Sequence, residues 1–233
     1  SAKMKLGICA IFRNEGPYLK EWIEFHEDQG FSHFYLFDDQ SNDTFFEVLQ
    51  PFISRGVVSL TAANEGENFK SRQLASYSNG IQQAYEDGCD WLAILDVDEF
   101  LFSPSGCLRK HLPRTRAVGA VFVWWQVFGS SGLEKRPSGG VTRAFTHAAR
   151  FPGSLGEARK TVLYEGNGFW GSRKRPISGR LVQGKSLVRP GAVRKLGNAH
   201  RPQKIRGLLV NENGVPLPTK DKNYLFNLRG TLF

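Results

Sequence analysis

Much of what would staple a small protein, or carry it through a membrane, is missing from this 233-residue chain. Its three cysteines, Cys9, Cys89 and Cys107, are odd in number and lack metal-ligand spacing, which argues against a disulfide framework or a zinc module. Cys9 sits in an apolar run and reads as a small buried hydrophobe, in keeping with a reducing compartment. No apolar run approaches the roughly 18–20 residues that cross a bilayer, and no leader pattern is visible, so the expected location is cytoplasmic. No glycine-rich phosphate loop follows the first apolar run; Arg13-Asn14-Glu15-Gly16-Pro17 stands there instead. Carboxylates become scarce halfway along. Through Gly106 there are 17 Asp+Glu against 7 Lys+Arg, and beyond it 5 against 24.

What is present suffices for one domain with a real core, since 40% of residues are hydrophobic. The net charge of +9 hides an acidic half suited to holding a cation and a basic half suited to neutralising phosphate. Arg173-Lys174-Arg175 is the tightest basic cluster and reads as a solvated loop.

Strand and helix patterns alternate through the first half. Residues 5–12 (KLGICAIF), 31–37 (FSHFYLF), 57–62 (VVSLTA) and 91–95 (WLAIL) are buried-strand runs. Between them, Pro17 opens a helix carrying Leu19, Trp22, Ile23 and His26 on one stripe, a short helix starts at Thr44, and another covers residues 69–86. His26 on that stripe reads as a packed core histidine. Such alternation predicts an α/β fold, a mostly parallel sheet flanked by helices. The loops at residues 13–15, 38–43 and 96–98 would then meet at the carboxyl edge of the sheet, where open α/β sheets hold ligands. Further on, residues 117–128 (AVGAVFVWWQVF) and 185–190 (KSLVRP) read as strands, and residues 207–233 as a tail with little core signal.

The sharpest chemical signal is Asp96-Val97-Asp98, which ends the fourth run. Side chains alternate faces along a strand, so the two carboxylates should project together. Oxygen ligands of that kind suit Mn²⁺ or Mg²⁺, which keep coordination sites open for phosphates. Alone, the motif would equally describe a strand ending in an acidic turn.

The ordered set of motifs resembles GT-A fold glycosyltransferases, of the family 2-like and family 92-like kinds. The resemblance rests on Arg13-Asn14-Glu15 with Tyr18, Leu19, Glu21, Trp22, Phe25 and His26, and on residues 34–39 with Ser41, Asp43 and Thr44. It continues through Trp91 and residues 95–101, Trp125 with residues 128–132, residues 185–190, and His200. It implies a Rossmann-like single domain over residues 1–206, with a nucleotide-sugar-binding half (1–106) and an acceptor-side half (107–206). It implies transfer of a sugar, with inversion, from a nucleotide-sugar donor, UDP first, to an acceptor hydroxyl of a free, lipid-linked or protein-linked glycan. By the same resemblance Asp38 would bind the base, and Arg13 and Glu15 the nucleoside. Arg72 and Gln73 would approach ribose or diphosphate, with Asp96, Val97 and Lys185 lining the donor site. Asp96, Asp98 and His200 would hold Mn²⁺ or Mg²⁺, and Arg189 would join Lys185 in neutralising phosphate. Trp124, Trp125 and Phe128 could stack on a sugar face or pack in the core.

An inverting transfer needs a carboxylate base. The second half offers Glu134, Glu157, Glu165, Glu212 and Asp221, of which Glu134 ranks first and Glu157 second. Two other readings compete. A sugar-phosphate nucleotidyltransferase would want a glycine-rich loop after the first strand. A basic nucleic-acid binder would show a steep salt dependence but has no binding module here, so no nucleic-acid partner is expected. The basic half could also bring the chain to an anionic membrane surface.

Overall fold

The computed structural model describes residues 3–103, 105–124, 128, 131, 139–147, 184–200, 202–212 and 214–217. The first half follows the predicted alternation closely. Strand β1 (Leu6–Phe12) leads to helix α1 (Gly16–Asp28), β2 (His33–Asp38) to α2 (Phe45–Ser54), and β3 (Val58–Ala62) to α3 (Phe69–Glu86), which delivers β4 (Trp91–Ile94). Pro17 lies in the first turn of α1, where its missing N–H costs no hydrogen bond. Asn68 and Ser71 form a reciprocal capping box that starts α3.

These strands, together with β5 (Val118–Trp124), β6 (Gly184–Val188) and β9 (Leu208–Asn211), build one sheet in the order β3-β2-β1-β4-β6-β5-β9. β1 to β4 pair in parallel, and β5 pairs in parallel with β9. β6 lies antiparallel between β4 and β5. The carboxyl ends of β1, β2, β4, β5 and β9 therefore share one edge, and β6 begins there. A short α4 (Val141–Ala144), two 3-10 turns (Leu108–Lys110 and Pro190–Ala192) and a hairpin of β7 (Val193–Leu196) and β8 (Pro202–Ile205) complete the described elements. This is the mostly parallel, helix-flanked sheet of the expected α/β class.

Interior parallel strands are covered on both faces, which is why they read as unbroken apolar runs. Ile8, Ala10 and Phe12 face Leu19, Trp22 and Ile23 of α1 and Leu49 and Phe52 of α2. Cys9 and Ile11 face Tyr77, Ile81 and Ala84 of α3. Each large side chain fully buried there contributes roughly 1.5–3 kcal/mol. Gly80 lets α3 approach the sheet, since a Cβ at that position would collide with the Cys9 sulfur and the Phe37 ring. His26 is fully buried: its Nδ1 donates to the Trp22 carbonyl, and its Nε2 accepts the Leu101 N–H. Burial depresses its pKa to about 3, so it is a neutral core residue.

One expectation changes. Residues 208–211, read as part of a tail, form the edge strand β9, with Leu209 and Val210 buried against β5. Four residues flanked by polar sequence carry too little periodicity to announce a strand; pairing with β5 supplies what the pattern lacks. The fifth strand is described as far as Trp124; residues 125–127 of the run read as a strand lie outside the described residues, and Phe128 is exposed.

Candidate functional site

The loops after β1 and β2 are stitched together at the carboxyl edge. Asn14, in a left-handed conformation (φ 57°), donates its N–H to Ser41 Oγ at 2.9 Å and accepts the Asn42 N–H at 2.8 Å through Oδ1. The Gly16 N–H reaches Asp43 Oδ2 at 2.8 Å. Asp38, expected at the base, accepts the Ser41 N–H at 2.9 Å through Oδ1, so one of its oxygens shapes the loop. Its neighbour Asp39 is buried and clamped from α3 by Arg72, Nε to Oδ1 at 2.8 Å and Nη2 to Oδ2 at 3.0 Å. Those bonds hold its carboxyl below the usual range against the cost of burial, helped by the charges of Arg72 and Arg13. Arg13 is exposed and Glu15 half-buried at the start of α1, both beside this loop pair.

The second cluster surrounds the aspartate pair. β4 ends at Ile94, and a turn closed by the Glu99 N–H on the Asp96 carbonyl at 3.0 Å carries the next residues. The turn, not strand alternation, orients the two carboxylates. Val97 points into the core, Asp98 is exposed, and the Asp96 side chain keeps 40% of its surface in water. Beneath Asp96 lies Lys185 from β6, 4% exposed, with Nζ 2.8 Å from Asp96 Oδ2 and 3.2 Å from Glu99 Oε2. On the other side Tyr77 donates to Asp96 Oδ1 at 3.1 Å and accepts from Gln73 Nε2 at 3.3 Å.

Charge in this cluster is unevenly compensated. Burial, followed by the Asp96 charge, pushes the Glu99 carboxyl up to about 8, with Lys185 and a backbone N–H opposing. Burial would lower the Lys185 pKa, but the two carboxylates outweigh it and keep the ammonium charged. Asp98 is raised by partial desolvation and by the Asp96 charge. His200 donates through Nδ1 to the Gly184 carbonyl at 3.1 Å, which leaves the lone pair on Nε2. Burial and the nearby Lys185 lower its pKa, keeping it neutral near pH 7. Among the described residues no three His, Cys, Asp or Glu side chains form a preassembled metal cage. The donor set does fit Mn²⁺ or Mg²⁺ bound as such ions commonly are, by one or two carboxylates plus substrate phosphates.

Arg13, Glu15, Asp38, Arg72, Gln73, Asp96, Val97, Asp98, Lys185 and His200 thus all lie along the carboxyl edge or on elements bordering it. Arg189 does not. β6 runs antiparallel, so Lys185 and Arg189 leave at opposite edges of the sheet. Arg189 donates to the carbonyls of Val118, Pro113 and Thr115 and stacks over the Trp91 ring at 4.4 Å. Glu134, Glu157 and Arg173-Lys174-Arg175 lie outside the described residues, as does Trp125. Asp39, Tyr77 and Glu99 were missed. Asp39 and Glu99 sit inside quoted motifs, whereas Tyr77 carries no signal beyond its helical stripe.

Fold and edge together define a class: an α/β protein whose ligand edge presents acidic groups held from below by a buried ammonium. A comparison of sequences narrows the class: residues 5–116 match the family model described as Glycosyltransferase family 92. The resemblance seen in the motifs is borne out over those residues. A glycosyltransferase family 92 protein of Ricinus communis is 27% identical over 67% of the chain, and one of Oryza sativa subsp. japonica is 29% identical over 60%. The galactan beta-1,4-galactosyltransferase GALS2 of Arabidopsis thaliana is 27% identical over 55%. The chain spans about a quarter of the length of these relatives, 28%, 24% and 24% respectively. Among solved structures, S. aureus TarS 1-349 in complex with UDP gives a TM-score of 0.38 at 14% identity, covering 58% of this chain and 39% of that one. The described residues contain no helix long and apolar enough to cross a membrane.

Proposed function

We propose that this chain transfers a sugar from a nucleotide-sugar donor to a glycan hydroxyl, with inversion, at the carboxyl edge of its sheet. The observation that carries the reading is the Asp96–Asp98 turn, with Asp98 exposed and Asp96 braced by a buried ammonium. The family 92 match over the donor-side half supports the same class. The names of the Arabidopsis relatives make UDP-galactose the first donor to test and a β-1,4-galactan oligosaccharide the first acceptor. Lipid-linked and protein-linked glycans are the other acceptor classes.

Asp98 and Asp96 would hold Mn²⁺ or Mg²⁺, with His200 as a further ligand. Bound there, the ion would supply Lewis-acid stabilisation of the departing diphosphate. The chain's own groups do the rest. Lys185 fixes Asp96 from below, Tyr77 orients its other oxygen, and neutral His200 stands close to both Lys185 and Asp96. Arg72, facing outward from Asp39, stands where a phosphate or ribose hydroxyl would meet a guanidinium fork. Arg13 and Glu15 border the same opening on the nucleoside side, beside Asp38.

The test is a panel of nucleotide sugars, UDP-galactose first, incubated with the protein and Mn²⁺. Consumption of one donor, with a rise in melting temperature on adding its nucleoside diphosphate, is the expected result. A panel in which nothing is consumed and no nucleotide stabilises the protein would overturn the reading.

A further inference from the structure

A carboxylate that the donor site does not use stands at the same sheet edge. Beyond β9 the chain reverses through a tight turn. The Gly214 N–H donates to the Asn211 carbonyl at 2.9 Å, the Val215 N–H donates to Asn211 Oδ1 at 2.9 Å, and Gly214 is left-handed (φ 75°). Glu212 lies at the tip of that turn, where a glutamate ordinarily extends into water. Instead it is only 7% exposed, and both its carboxylate oxygens are buried with no hydrogen-bond partner among the described residues. A buried carboxylate in that condition costs stability, and native proteins retain few such groups without a use for them.

Position suggests the use. β9 is parallel to β5, and both run with β4, so Glu212 leaves the sheet at the edge that carries Asp96 and Asp98. Asn211 pairs with Phe122, and Val123 with Lys185, so Glu212 stands level with Lys185 across the sheet. β6 and β5 separate it from β4, three interstrand steps or about 14 Å. A diphosphate at Asp98 with its sugar reaching over β6 and β5 would leave the acceptor on the β9 side.

We propose that Glu212 is the group that takes the acceptor's proton, an inference that rests on the transferase reading above. The acceptor oxygen attacks the anomeric carbon and forms the new C–O bond. The bond from that carbon to the diphosphate oxygen breaks, its electron pair leaving with the nucleoside diphosphate. The hydroxyl proton passes to the Glu212 carboxylate, which becomes the neutral acid. Burial also pushes this carboxyl up to about 7, close to the pH at which a general base works best.

The experiment uses the full chain and the donor that the nucleotide-sugar panel identifies. Glu212→Gln should lower the turnover number on the order of 100-fold or more while leaving nucleoside diphosphate affinity unchanged. In Glu212→Ala, added formate should restore turnover in proportion to its concentration. Neither variant should melt below the parent, because the group removed is unpaired. Near-parental turnover in Glu212→Gln would overturn the proposal. So would loss without formate rescue, or failure of both variants to fold, since each assigns the carboxylate to structure. If the parent neither consumes a donor nor binds a nucleoside diphosphate, the transferase reading is what fails.

Discussion

Two ion pairs at the ligand edge are built inside out relative to each other. In one, Asp39 is 2% exposed and Arg72 23%, so the anion is sunk and the cation faces the opening. In the other, Lys185 is 4% exposed and Asp96 40%, so the cation is sunk and the anion faces out. The first pair presents positive charge to a ligand and the second presents negative charge stiffened from below. A nucleoside diphosphate with a divalent cation carries both signs, and this arrangement can meet them at neighbouring points. Glu212 is a third case, a sunken carboxylate with no cation beside it among the described residues.

Breaking the sunken cation should have the largest effect. Lys185→Met leaves Asp96 and Glu99 facing each other without compensation. It should cost about 3 kcal/mol in urea unfolding, the low end for a broken buried pair because Asp96 is still partly in water. A loss near zero would mean that the ammonium is not what holds Asp96.

Glu212→Gln should be nearly as large and of opposite sign. The carboxyl titrates at about 7 when folded, against 4.5 when free. The folded state therefore holds more protons between those values, and its stability falls as pH rises through that window. The penalty is fully expressed above pH 7, so the variant should gain up to about 3 kcal/mol at pH 8 and almost nothing at pH 4. Equal pH dependence of unfolding in parent and variant would contradict this.

For the outward cation, Arg72→Ala should destabilise less than Lys185→Met, because Arg72 faces water. The sign with pH is reversed here. Asp39 has a lowered folded pKa, so its contribution is present above the ordinary aspartate range and fades as pH falls. The melting temperatures of parent and variant should draw together as pH falls below the ordinary aspartate range. The smallest effect is expected away from the edge. Asn68→Ala removes the capping box of α3 and should cost about 1 kcal/mol while sparing both pairs. A larger cost would tie the cap to the position of Arg72, four residues on.

Legibility in the sequence divides along the same lines. The four apolar runs, the helix over 69–86 and the Asp96–Asp98 motif could be read because each is local: a run, a period, a spacing. The pairing of Asp39 with Arg72, 33 positions apart, could not, and so Asp38 drew the attention. Lys185 was picked from a motif, but its place beneath Asp96 depends on β6 running antiparallel. That same reversal sends Arg189 to the far edge. The turn at residues 96–99 depends on the Glu99 side chain folding back to the Asp96 N–H at 2.8 Å, which strand alternation does not foresee. β9 was illegible because its four residues become a strand only against β5.

Calorimetric titration of UDP into the parent and into Asp98→Ala, with Mn²⁺ and then with chelator, tests the central claim most directly. The account predicts binding by the parent that requires Mn²⁺ and is lost in Asp98→Ala. Equal affinity in all four titrations, or no binding in any, would contradict it.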